Sequence, residues 1–286
     1  MARLIETRSN GCVSFSERVE LSYDINSAIE NADIVVISIS AQNLRKFVSE
    51  LPKGILDNKN VVLCMKGIES ASGKRLTEIL KEETDGRANV AVWVGPGHVQ
   101  EFYSGIPNCM VIDSEDEKLT SYLIESFSGE LIRFYYGNDL LGTEIGAASK
   151  NVIGIAAGFL DGLSLTSLKG ALMSRGTREI ARLIKAMGGN ELSAYGLCHL
   201  GDYEATVFSK YSHNRQFGES FAKGEAFSEL SEGVETAKAL MKLKEKYSVD
   251  LPICSAVYNV LFCGKDMKDE LGALFLRTQK NEFVQN

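Results

Sequence analysis

The sequence predicts an α/β half of Rossmann type followed by an all-helical half. Over residues 1–137, short β-branched runs alternate with helical apolar spacing, the pattern of a doubly wound sheet. Over residues 138–286 almost every segment carries helical periodicity and hardly a strand can be found. The composition is that of a globular chain with a sizeable core: 44% hydrophobic, 24% charged, mean hydropathy −0.06, 26 glycines and only 4 prolines. That balance excludes wholesale disorder and collagen-like or Pro-rich classes.

Taken in order, residues 24–31 read as a short helix opening at an Asp cap. Asp33-Ile34-Val35-Val36-Ile37-Ser38-Ile39 reads as a strand buried on both faces of a parallel sheet. Residues 42–51 place Leu44, Phe47, Val48 and Leu51 at helical spacing. A second strand covers 60–65, a helix 73–83 shows Leu76, Ile79 and Leu80 on one face, and a third strand covers 90–94. Two more strands, 109–112 and 131–135, flank an amphipathic helix over 117–127. The pattern changes near Gly137. Residues 140–160 form a long helical stretch dense in Gly and Ala; its small residues from Gly146 to Gly158 permit a close helix–helix contact and with it a homodimer. Further helices are expected over 170–187, 191–198, 215–223, 234–247, 252–263 and 266–276, with Lys238, Lys242 and Lys246 on a solvated face.

Charge and residue usage narrow the function. Thirty-one basic against 38 acidic residues give a net charge of −7 and a pI near 5.2, which argues against a nucleic-acid partner. A local Lys/Arg cluster still allows a small anionic substrate. The longest apolar run, residues 152–160, falls short of the ~20 residues a bilayer span needs, and the first residues lack a signal peptide's apolar core. Six scattered cysteines with no C-x-x-C pair predict reduced thiols and a cytoplasmic location. With three histidines, at 98, 199 and 213, no metal site is expected.

Four segments hold residues suited to chemistry. Lys66-Gly67 directly follows a strand, where open α/β sheets place ligands. Gly95-Pro96-Gly97-His98 also follows a strand, and its glycines let backbone N–H groups approach an anion. Lys150-Asn151 interrupts an otherwise small and apolar helix, where an unpartnered amine is costly and desolvation brings an amine toward an acid/base range. Residues 200–206 and 212–218 supply Asp202, hydroxyls and donors suited to a phosphate. Each pattern alone also fits a surface lysine, a common turn or a structural histidine.

Together, and in order, these segments resemble the bacterial NAD(P)-dependent sn-glycerol-3-phosphate dehydrogenase family. The likeness runs through Lys66-Gly67, Gly95-Pro96, Lys150-Asn151-Val152-Ile153, Arg175-Gly176, Leu200-Gly201-Asp202, Asn214-Arg215, Glu232-Gly233, Leu251-Pro252-Ile253 and Tyr258 to Lys265. It implies NAD or NADP as cofactor, an active site between the two halves, and reversible hydride transfer between glycerol 3-phosphate and dihydroxyacetone phosphate for phospholipid synthesis. By resemblance, Lys150 is the acid/base at the C2 oxygen, Lys66 a second catalytic lysine touching substrate and cofactor, and Asp202 the orienting carboxylate. Gly95, Gly97, Ser212, His213 and Asn214 fall at substrate positions. Val99, His213, Leu230 and Glu232 fall at cofactor positions.

The sequence also departs from that family. It contains no G-x-G-x-x-G turn, so the expectation is a Rossmann half lacking its first βαβ unit and the main pyrophosphate contacts, with weakened cofactor binding. Ile39-Ser40-Ala41 replaces Val-Pro-Ser, Gly97 replaces a hydroxyl residue, and His213 stands where the family has Arg, a better phosphate partner. Two other readings stay open at this point: a related 3-hydroxyacid or 6-phosphogluconate-type dehydrogenase, and a non-catalytic remnant serving as a helical binding or dimerisation module.

Overall fold

Pleat alternation organises the first half. The structure, a computed structural model, describes residues 2–11, 13–97, 99–279 and 281–282. Five strands, β1 (Ile34–Ile37), β2 (Asn60–Leu63), β3 (Asn89–Val94), β4 (Asn108–Asp113) and β5 (Ile132–Tyr136), form one sheet in the order β1-β2-β3-β4-β5. β1, β2 and β3 are parallel, β4 runs antiparallel to β3, and β5 is parallel to β4. Successive residues face opposite layers: Val61, Leu63, Val90, Val92 and Val94 join one core, and Val62, Ala91 and Ile112 join the other.

Short helices close these layers. Ahead of the sheet lie α1 (Ala2–Thr7) and α2 (Ile25–Asn31), the latter capped by Asp24 accepting from Ser27 N. α3 (Leu44–Ser49) and α4 (Leu76–Glu83) bury Leu44, Val48, Leu76, Ile79 and Leu80 on the first layer. α5 (Val99–Tyr103) follows β3, and α6 (Glu117–Phe127) buries Leu119, Leu123 and Ile124 on the second.

The second half is built on α7 (Leu140–Gly162), most of whose residues are buried. Around it pack α8 (Lys169–Ala186), α9 (His213–Lys223), α10 (Glu232–Lys246) and α11 (Pro252–Phe262), with α12 (Met267–Phe275) against α11. Among the described residues no strand follows β5. α7 and α9 cross at backbone contact because both supply glycine. A Cβ on Gly158 would stand 2.1 Å from Arg215 O, and one on Gly218 would stand 2.2 Å from Ile155 O.

Two expectations change. β1 is an edge strand with Val36 45% exposed rather than a strand covered on both faces. Residues 191–198 do not form a helix of their own; only a 3-10 stretch, Glu191–Tyr195, forms, capped by Asn190 accepting from Leu192 N. The small-residue stretch of α7 makes its close contacts within the chain, Gly154 against Thr206 and Asn214, Gly158 against α9, and Gly146 against Cys198 and His199.

No flexible linker separates the halves. Leu140, Ala147 and Cys198 belong to the core under the sheet, while Ile68, which follows β2, belongs to the helical core. Buried Glu144 of α7 accepts from Thr77 N at 3.0 Å, from Thr77 Oγ1 at 2.6 Å and from Arg75 Nη1 at 2.7 Å, which fixes α7 to the head of α4. No helix among the described residues is long and apolar enough to cross a membrane.

Candidate active site

Two loops at the carboxyl ends of β2 and β3 meet the middle of α7. Lys66 leaves β2, Gly95 leaves β3, and the Lys66 ammonium donates to Gly95 O at 2.7 Å. Gly95 and Gly97 have φ of +137° and +140°, a backbone region that favours glycine. Open α/β sheets bind their ligands at this end of the strands.

Asp202 closes the site from the helical half. It ends a short 3-10 turn, Leu200–Asp202, and is 1% exposed. Its Oδ2 stands 2.8 Å from Lys66 Nζ and 2.8 Å from Lys150 Nζ. Lys150 also donates to Thr206 Oγ1 at 2.7 Å. Thr206 lies in a π-helical turn, Glu204–Phe208, that follows Asp202 after one residue, Tyr203. The three residues expected to be catalytic are therefore in mutual contact, and Thr206, from the segment whose hydroxyls were expected to suit a phosphate, instead accepts from Lys150 as a fourth member.

The Lys150 side chain is only 8% exposed. Burial pushes its ammonium down to about 8; Asp202 opposes that shift and the like charge of Lys66 adds to it. An amine in this range exchanges a proton near neutral pH. Lys66 is more open, with its side chain 23% exposed.

A relay of amides joins this cluster to α9 and α10. Asn151 donates to Lys66 O at 2.9 Å, and Asn214 donates to Asn151 Oδ1 at 3.1 Å. Asn214 Oδ1 accepts from Gly233 N at 2.9 Å and from Ser231 Oγ at 2.8 Å. Glu232 reaches back to the first half, where Oε1 accepts from Ala41 N at 3.0 Å; its burial pushes its pKa up. Gly67 lies so close to Ala41 that a Cβ there would be 2.4 Å from Ala41 Cβ.

The remaining expected residues spread outward. Ser212 is buried and caps α9 by accepting from Arg215 N at 3.3 Å. His213 is the first residue of α9 and is exposed. Val99 and Leu230 stand 58% and 60% exposed. His98 lies outside the described residues. Glu144, a carboxylate of the same helix, is occupied at the α4 junction and does not reach the lysine pair's carboxylate. Among the described residues no cluster of His, Cys, Asp or Glu could hold a metal ion.

The backbone segments at Ala41, Gly67 and Gly95 converge at the ends of β1, β2 and β3, beside the two lysines. This fits the nicotinamide end of a dinucleotide. A Rossmann-type sheet joined to a helical half, with a carboxylate-braced lysine pair where they meet, defines a nicotinamide-dependent dehydrogenase.

Comparison with known proteins specifies the class. Residues 5–120 match the family "NAD-dependent glycerol-3-phosphate dehydrogenase N-terminus", and residues 139–271 match its C-terminus. The chain belongs to the NAD-dependent glycerol-3-phosphate dehydrogenase family. It is 37% identical over 281 residues to the NAD(P)+ glycerol-3-phosphate dehydrogenase of Prosthecochloris aestuarii, covering 94% of this chain and 84% of that one. It is 37% identical to that of Clostridium botulinum strain Eklund 17B, covering 91% and 80%. Its fold matches the crystal structure of glycerol-3-phosphate dehydrogenase from Coxiella burnetii with a TM-score of 0.90 at 24% identity, over 96% of this chain and 88% of that one.

Proposed function

We propose that the chain catalyses reversible hydride transfer between sn-glycerol 3-phosphate and dihydroxyacetone phosphate, using NAD or NADP. The observation that carries this is Asp202 Oδ2 held at 2.8 Å from two lysine ammoniums at the carboxyl ends of the strands. Residues 1–137 hold the cofactor side and residues 138–286 the substrate side. The cofactor, when bound, supplies the hydride acceptor for oxidation and the donor for reduction. Lys66, Ala41, Gly95 and Glu232 would hold its nicotinamide end, and Val99, His213 and Leu230 would add further contacts to it.

As the C2 hydrogen leaves as hydride, the C2 hydroxyl proton passes to neutral Lys150 Nζ and a carbonyl forms. In the reverse direction the Lys150 ammonium returns that proton to the C2 oxygen. Asp202 keeps Nζ in place, and Lys66 places a positive charge beside the same oxygen. The substrate phosphate rests at the head of α9, where Ser212, His213 and Asn214 offer helix N-terminal donors. Gly95 and Gly97 line the opposite wall. The six scattered cysteines, with no C-x-x-C pair among them, support a cytoplasmic location.

Steady-state kinetics of two variants test the assignment. Lys150→Ala is expected to lower kcat by ~10²–10⁴-fold. Lys150→Arg is expected to fail nearly as badly, because a guanidinium stays protonated and cannot act as base. Turnover near wild type in Lys150→Arg would remove Lys150 as the acid/base.

A further inference from the structure

Beneath the lysine pair lies a buried pair the reaction does not use directly. His199 and Tyr203 are both 0% exposed. His199 Nδ1 stands 2.8 Å from Gly146 O, and Tyr203 Oη stands 2.7 Å from His199 Nε2. The rings meet edge to face at 4.9 Å. A backbone carbonyl only accepts, so Nδ1 carries hydrogen and donates to Gly146 O. Burial pushes the imidazole down to about 4, so it is neutral at neutral pH and Nε2 is a lone pair. Tyr203 therefore donates to His199, and His199 donates to α7.

The placement of this chain of bonds gives it a consequence. His199 immediately precedes the turn that carries Asp202, whose backbone N–H donates to His199 O at 3.1 Å. Tyr203 is the next residue after Asp202. Gly146 is four residues before Lys150 on α7, so it lies on the same helix face one turn away. A Cβ at Gly146 would stand 3.0 Å from Cys198 Sγ and 3.2 Å from His199 Cβ, so the imidazole reaches the carbonyl across a contact that glycine keeps unstrained. Asp202 is thus suspended between two residues bonded to each other and to the helix that bears Lys150.

We propose that His199 and Tyr203 are a positioning pair that fixes Asp202 between Lys66 and Lys150. The inference rests on the reading of Lys150 as acid/base only for its effect on turnover. The charged and titratable groups facing Lys150 are Asp202, Lys66 and His199, with the Thr206 hydroxyl beside them. Displacing Asp202 changes the largest counter-charge in that set, so the protonation of Lys150 must move with it.

Three variants separate the bonds. Tyr203→Phe keeps the ring and the Gly146 contact, His199→Asn keeps a donor toward Gly146 but loses the Tyr203 acceptor, and His199→Leu loses both. The first two are expected to lower kcat about tenfold with KM for dihydroxyacetone phosphate within twofold. His199→Leu is expected to lower kcat further. The double variant His199→Asn/Tyr203→Phe should be no worse than His199→Asn alone, since the two act as one unit. The pH dependence of Lys150 carbamylation by cyanate, read by peptide mass, should shift its midpoint by half a unit or more in every variant. Loss of thermal stability with unchanged kcat and an unchanged carbamylation midpoint would overturn the proposal and leave the pair as core filling. An active Lys150→Arg enzyme would overturn the acid/base reading instead, while the carbamylation midpoint still decides the positioning role.

Discussion

At Lys150 three effects compete: burial disfavours the charged amine, Asp202 restores it, and Lys66 repels it. With Lys150 as the proposed acid/base, their balance near 8 is expected to give the two directions of reaction opposite pH dependence. Oxidation needs the neutral amine, so its kcat/KM rises as pH passes upward through about 8. Reduction needs the ammonium, so its kcat/KM falls over the same interval. Initial rates in both directions between pH 6 and 10 check this, and parallel profiles would contradict it. Lys66, Lys150 and Asp202 were legible because their neighbours in sequence carry the family resemblance. Thr206 and the His199–Tyr203 pair were not, because their roles come from a π-helical turn and from hydrogen-bond directions that spacing does not encode. The exposure of Val99 and Leu230 was equally hidden, since a single apolar residue beside a loop carries no periodicity.

Element ends carry much of the helical half's sensitivity to pH. Glu179 of α8 is buried and accepts from Ile253 N at 2.8 Å and Cys254 N at 2.9 Å, so it caps α11 from another helix. Burial outweighs those donors and pushes its carboxyl up to about 7, with the Cys254 thiol and Arg182 also facing it. The folded chain then holds this proton more tightly than the unfolded chain, so its contribution to stability is full at low pH and declines as pH rises from about 4.5 to about 7. The loss across that window is about 3 kcal/mol. Denaturant titrations of the wild type and Glu179→Gln should converge or diverge along that slope, whereas a constant difference would place the titration elsewhere. The α7–α9 crossing makes a separate demand. Gly218→Ala drives a Cβ into Ile155 O, a backbone atom that cannot rotate away. The expected cost is about 2–4 kcal/mol, read as a drop in Tm, with activity falling as Asn214 withdraws from Asn151. All five strands and the main helices were legible from period and caps. The edge exposure of β1 was not, because a β-branched run looks the same whether or not a neighbour covers it. Residues 191–198 failed as a helix for a different reason: the Asn190 cap and the tight Gly196–Gly201 stretch serve the turn that delivers Asp202.

At the level of the whole molecule, the two halves exchange core residues and hold each other through Glu232–Ala41, Glu144–Thr77 and Lys66–Asp202. Neither half completes its own interior. Calorimetry is therefore expected to show one cooperative transition, with the calorimetric and van't Hoff enthalpies in agreement. Two resolved transitions would mean that the shared contacts are weaker than their burial indicates. The boundary near Gly137 marks where the pattern of elements changes, and the hydrophobic cores cross it.

That crossing of cores bears on how the chain is made. A ribosome releases the sheet long before Cys198, yet Cys198, Leu140 and Ala147 are needed to cover one of its faces. Domains commonly fold as they emerge, but here the nascent sheet must wait, with Val61, Leu63 and Val92 incompletely covered, while some 60 further residues are translated. At 5–20 residues per second that interval lasts roughly 3–12 s. During it the newborn chain is expected to display part of an apolar sheet face, of the sort that holdase chaperones engage. Leu140, Ala147 and Cys198, which seal the finished junction, are thus expected to set when the first half is fully covered.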